Sequence, residues 1–205
     1  MTDVNSTANP GLRARKKQQT RKRICDAAIA LFIERGFNET TVEAIALKAD
    51  VSKPTFFNYF NSKLAILHEL IETIDTQFVA FIDEALNREA STAARLQKIM
   101  LRSANDLSAR PAFTRLTLVE GLGAIGESDA SRSRFSRLHS AMARLLEAGV
   151  RQNDVRADCS IDLMVQMLVG GYLYAILNWL NGQDRPLKTV MRETATFLAE
   201  AVAPK

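Results

Sequence analysis

Residues 51–63 read "VSKPTFFNYFNSK", which sets Phe56, Phe57, Tyr59 and Phe60 within five positions of a chain that is only 7% aromatic. Phe56 and Phe60 stand four apart and share one helical face, the arrangement of a buried anchor. On a helix Thr55, Asn58 and Tyr59 project the other way. Threonine and asparagine can hydrogen-bond base edges or phosphates, a tyrosine hydroxyl can meet a phosphate oxygen, and Lys63 adds positive charge one turn later. The plain alternative is that all four rings are core and the polar residues merely solvated, which leaves the basic segment just upstream unexplained.

That segment is "RARKKQQTRKR", residues 13–23, in which seven of eleven residues are cationic and none is acidic. The formal net charge of +4 conceals an asymmetry. Through Lys63 there are eleven Lys and Arg against six Asp and Glu, and beyond it sixteen against seventeen. Positive charge gathered at one end beside an outward polar face is the electrostatic footprint of a polyanion-binding surface. Arg13, Arg15, Lys16 and Lys17 are candidate phosphate contacts on a flexible arm spanning residues 1–19.

The elements needed to position these groups follow from local pattern. Ile24, Ala28, Leu31 and Phe32 recur at helical spacing across 20–35, and Gly36 follows as a natural C-cap. "TTVE", 40–43, reads as a capping box opening a short helix at about 41–48. Ser52 is a good N-cap and Pro54 falls in the first turn, so a second short helix is expected at about 53–60. Two short helices joined by a tight turn form a helix-turn-helix, whose second helix enters the major groove. Asp50 falls where that turn needs a left-handed residue. Ala46 is small enough for a close crossing.

Over about Thr20 to Leu67, and most specifically in "TTVEAIALKADVSKPTFFNYFNSK", the sequence resembles the TetR family of bacterial transcription regulators. The resemblance implies an all-α homodimer of about nine helices per chain: a helix-turn-helix DNA-binding domain at 20–63 and an effector-binding and dimerisation domain at 64–205. It implies a repressor of transcription that binds a double-stranded DNA operator and is released by a small-molecule effector. By position, Thr40 and Thr41 would touch phosphates, Lys53, Thr55 and Asn58 would face the groove, and Phe57, Tyr59 and Lys63 would grip the backbone. Asp50 stands where the family usually has glycine and Pro54 where a small residue is common. Phe57 replaces a frequent tyrosine, which leaves it van der Waals contact alone.

Beyond residue 67 further helices are expected near 62–87, 91–109, 111–121, 129–152, 160–181 and 187–202, with breaks at Pro111, "EGLGAIGESD" and "NGQDRP". Phe78, Phe81, Phe113, Leu116, Phe135, His139, Met142, Met164, Met167 and Tyr172 are candidate walls of an apolar effector cavity, being rings, adaptable thioethers and one boundary histidine. The resemblance further implies a four-helix dimer interface involving Gly170, Gly171, Leu173, Trp179, Phe197 and Leu198.

Other chemistries find little support. "GLGAIG", 121–126, has the glycine spacing of a dinucleotide-binding loop, but no second strand pattern completes the required unit, and a loop between helices is expected. His68 and His139 lack partners at metal-ligand spacing, and no nucleophile elbow is present, so neither cofactor, metal nor catalysis is expected. Cys25 and Cys159 fit reduced thiols of a cytoplasmic protein. The most apolar run, 163–180, is interrupted by Gln166 and Asn178 and reads as a buried helix, not a membrane span.

Overall fold

The computed structural model describes residues 10–123, 129–182 and 184–205. Among them are nine helices: α1 (Pro10–Arg35), α2 (Val42–Lys48), α3 (Lys53–Phe57), α4 (Lys63–Leu86), α5 (Thr92–Ala109), α6 (Pro111–Gly123), α7 (Asp129–Arg151), α8 (Ile161–Leu180) and α9 (Leu187–Val202). The chain divides into two compact units, the first ending at Leu70 and the second beginning at Ile71.

In the first unit, α1 buries Ile24, Ala27, Ala28, Leu31 and Phe32, a stripe at helical spacing, and ends at Gly36 with φ +85°. It starts ten residues earlier than its apolar pattern suggests. Residues 10–19, expected in a flexible arm, are helical, because Pro10 presets the first turn and Arg, Lys, Gln and Ala all propagate a helix well. Ile45, Ala46 and Ala49 of α2 and its flank, Phe56 of α3, and Phe60, Ile66 and Leu67 close this core. Each large side chain fully removed from water contributes about 1.5–3 kcal/mol.

The corner between α2 and α3 is built as its residues require. Asp50 takes φ +53°, with its carboxylate 3.8 Å from Arg23, and the Val51 amide donates to Ala46 O at 3.0 Å. Ser52 caps α3 by accepting from the Thr55 amide at 3.1 Å. Regular helix stops at Phe57, three residues short of the expected end. The next turn persists, however, with the amides of Tyr59 and Phe60 both bonded to Phe56 O, so Phe60 stays beside Phe56.

The second unit packs α4 to α9 around Ile82, Leu96, Ile99, Leu145, Leu146, Leu168, Leu187 and Met191. Arg95 is buried and held by Ala85 O, Arg88 O and the Gln152 side chain, so it ties the turn after α4 to α5 and α7. Gly171 lets α8 and α9 approach closely, since a Cβ there would lie 3.1 Å from Leu198. "LTLVE" is part of α6, so the glycine motif starts at a helix C-terminus, not after a strand; its residues 124–126 lie outside the described residues. By length and composition α8 could cross a membrane. Within the unit it buries Met164, Val165, Leu168, Ala175 and Ile176.

Candidate functional site

On the first unit the anchor behaves as its spacing requires. Phe56 is fully buried and Phe60 nearly so, while Phe57 and Asn58 are exposed and Thr55 and Tyr59 are half-buried. Arg21 fixes the rear of this rod. Its guanidinium stacks over the Phe60 ring at 4.3 Å, donates to Tyr59 O at 3.2 Å and pairs with Glu69 through Nε at 3.0 Å. The Phe57 ring stands edge-on to Phe56 with centroids 5.4 Å apart.

Several residues expected to face a partner are instead engaged within the unit. Thr40 is 1% exposed and its hydroxyl donates to Gly36 O at 2.8 Å, so it closes the turn after α1 and offers nothing to a phosphate. The N-cap of α2 is Thr41, whose oxygen accepts from the Ala44 amide at 3.1 Å; it remains exposed. Lys63 places its ammonium 2.7, 2.9 and 2.8 Å from the carbonyls of Phe37, Asn38 and Thr40 and over the Phe37 ring. All three of its protons have acceptors there, which is why it does not reach outward. The Thr55 hydroxyl lies 2.8 Å from that of Ser52. Lys53 pairs with Glu43, and this ammonium holds the Glu43 carboxyl below its ordinary value. Arg13, Arg15, Lys16 and Lys17 are exposed along the first turns of α1. Just behind them, burial pushes the Cys25 thiol up to about 11, which makes it a poor nucleophile.

The second unit contains a cavity of about 710 Å³ walled by α4 to α8. It includes Phe78, Phe81, Phe113, Phe135, His139, Met142 and Tyr172 of the expected set. Leu116, Met164 and Met167 are not on its wall. On α8 the lining stripe runs through Asp162, Val165, Val169, Leu173 and Ile176, and on α6 through Phe113, Thr117 and Gly121; the three absentees lie roughly 100–160° around their helices from the centres of those stripes. Met164 is packed in the core and Met167 is 56% exposed.

The polar groups of this wall are largely satisfied within the protein. Arg134 pairs with the buried Asp75, and Ser103 bonds to the Tyr172 hydroxyl. Thr114 donates to Leu107 O and Thr117 to Phe113 O. Loss of water raises the Asp75 carboxyl above its ordinary value, outweighing the Arg134 guanidinium beside it. Desolvation likewise pushes the Tyr172 phenol up to about 12. The apolar interior is therefore shaped for an apolar body. The exposed polar groups of its lining are Gln77, Asp106, Arg110, Asp162 and Gln166.

Residues 24–70, which span the buried face of α1, the α2–α3 corner and the first turns of α4, match the sequence profile of the bacterial regulatory proteins of the tetR family. That match and the relatives it accompanies support a TetR-family regulator. An HTH-type transcriptional regulator of Bacillus subtilis, YdeS, is 28% identical over 170 residues, covering 79% of this chain and 80% of its own. FadR from B. subtilis, solved in complex with stearoyl-CoA, superposes with a TM-score of 0.79 at 21% identity, over 88% of this chain and 98% of that one. Thermus thermophilus FadR, a TetR-family repressor solved in complex with lauroyl-CoA, does so with a TM-score of 0.65 at 26% identity, over 88% and 93%.

The residues that sequence reading missed are mostly cavity members on regular stripes. Ile71, Ile74 and Asp75 precede Phe78 and Phe81 at helical spacing on α4, and Leu138 sits between Phe135 and Met142 on α7. The signal for Asp75 and Arg134 was a lone charge inside each apolar stripe. Their pairing is a tertiary fact, since 59 residues separate them.

Proposed function

We propose that the chain is a homodimeric, cytoplasmic transcriptional repressor without catalytic activity, held on its operator by two copies of α3 and released when an apolar-bodied effector fills the cavity of the second unit. The observation that carries the DNA side is the rod whose Phe56 and Phe60 are buried while Phe57, Asn58 and Tyr59 remain accessible. Exposed cations on α1 supply salt-dependent, sequence-independent affinity. The effector side is supported by the closed polar inventory of the cavity and by the two FadR proteins solved with long-chain acyl-CoA thioesters. A chain of that kind places its apolar tail in the interior and leaves its polar head among the exposed polar residues of the lining, of which Arg110 is the one cation.

Dimerisation is supported by an apolar face left uncovered among the described residues: Leu163, Met167, Tyr174 and Leu177 of α8 with Phe197 of α9, all exposed, and Gly170 open beside them. Of the residues expected there, Gly171 and Leu198 meet each other within the chain and Leu173 lines the cavity. Helix α4 carries Ile71, Ile74, Phe78 and Phe81 of the cavity wall and, at its other end, Lys63 in the first unit. An effector that prefers one placement of α4 shifts the spacing of the two α3 helices. A coupling of about 1–3 kcal/mol corresponds to a 5- to 150-fold change in affinity.

The test takes the full chain and the best duplex recovered from a randomised library, then titrates lauroyl-CoA and stearoyl-CoA while following DNA binding by anisotropy. Release at micromolar thioester supports the reading. Binding of DNA that no thioester alters would point to a regulator governed by its own concentration, and absence of any enriched duplex would end the DNA reading.

A further inference from the structure

We infer that α3 reads A·T base pairs, with Asn58 on an adenine and the Phe57 ring against a thymine methyl. This rests on the groove-facing role of α3 proposed above. What the accessible side chains of α3 still have to offer decides which bases it can read. Guanine is read in the major groove by a free Arg or Lys placed across its O6 and N7. Residues 53–60 contain no arginine, and their one lysine, Lys53, has its ammonium against the Glu43 carboxylate. A guanine edge would have to take Lys53 from that carboxylate while lying beside its negative charge. Lys63, the next cation along the chain, has three carbonyl acceptors in the turn after α1. The Thr55 hydroxyl is shared with Ser52.

The half-buried Tyr59 keeps a hydroxyl suited to a phosphate oxygen, which carries no sequence information, and two side chains remain to read bases. The Asn58 amide is exposed and makes no side-chain hydrogen bond among the described residues, so both its carbonyl and its NH2 are available. That donor and acceptor pair matches adenine N6 and N7. Phe57 is 45% exposed, and its ring is steadied edge-on by the buried Phe56. It has no hydroxyl to give a phosphate. An immobilised apolar surface in the major groove has one complementary feature among the bases, the C5 methyl of thymine. The two residues are adjacent at the end of α3, so the pairs they read are close neighbours in each half-site.

The experiment uses the full-length protein and the highest-affinity duplex selected from a randomised 30-base-pair library. Thymines in each half-site are replaced one at a time by deoxyuridine, which deletes only the methyl, and adenines by 7-deazaadenine, which deletes only N7. At one thymine, deoxyuridine is expected to weaken wild-type binding about fourfold, the effect of one buried methyl. At a neighbouring adenine, loss of N7 is expected to weaken it about fivefold or more. Phe57→Ala should erase the deoxyuridine effect alone, and Asn58→Ala the 7-deazaadenine effect alone. A wild type indifferent to both replacements, or effects that persist in the matching variants, would overturn the inference while leaving the regulator reading intact. Because the first measurement modifies only the DNA, it does not depend on any variant folding. Failure to enrich any duplex would instead remove the DNA-binding reading beneath it.

Discussion

Replacing Lys63 with methionine separates two roles that its position in the chain leaves equally open. Were Lys63 a phosphate contact, its loss would reduce the slope of log affinity against log salt by about one and leave stability alone. The structure gives it a different task. Its ammonium lies 2.7 Å from Phe37 O, 2.9 Å from Asn38 O and 2.8 Å from Thr40 O, three carbonyls of the α1–α2 turn, and 4.7 Å from the Phe37 ring centroid. A hydrogen bond from a charged donor is worth about 1.5–3 kcal/mol, but three on one partly solvated ammonium do not add, and water can recover the outermost carbonyl. With the cation–π contact, about 0.5–1 kcal/mol at such a site, the net loss is about 3 kcal/mol. For a chain of this size that lowers Tm by about 6–12 °C. Calorimetry of both proteins, with DNA binding by the folded fraction followed across a salt series, reads the two roles together. An unchanged Tm with a salt slope lowered by one would refute the structural assignment.

Other consequences concern the second unit. Gly149→Ala should destabilise by about 1–3 kcal/mol in urea unfolding, because its Cβ would fall inside contact of Val155 and Thr92 and displace the 2.7 and 2.8 Å bonds from Thr92 to Asp154. Asp75 has a folded pKa above its ordinary 3.8, so the stability it contributes is full below that value and lost as pH rises through the folded one. The stability of wild type minus that of Asp75→Asn should therefore fall as pH rises from the ordinary 3.8 through the raised folded value, and a difference that grows with pH would contradict the raised value. Phe197→Glu, at a side chain 70% exposed on α9, should weaken self-association by about 2 kcal/mol or more, seen as monomer in sedimentation and as lost operator affinity.

Local signals carried much of this molecule. The Phe56 and Phe60 spacing, the Ser52 cap and the left-handed Asp50 all depend on contacts within a few residues, so their types reveal them without a partner. The breaks at Gly36 and Pro111 are equally local, and hence so was the all-α architecture. What tertiary structure decided is which polar groups remain unengaged. Thr40, Lys53 and Lys63 look available in a linear reading, yet Gly36 O, Glu43 and the turn at 37–40 take them, over separations of 4 to 26 residues. The cavity was legible as a supply of rings, while its true wall depended on the rotation of α6 and α8, which turns Leu116, Met164 and Met167 away. A side chain's chemistry is written in its type, but its availability is set by whatever the fold brings within hydrogen-bonding reach.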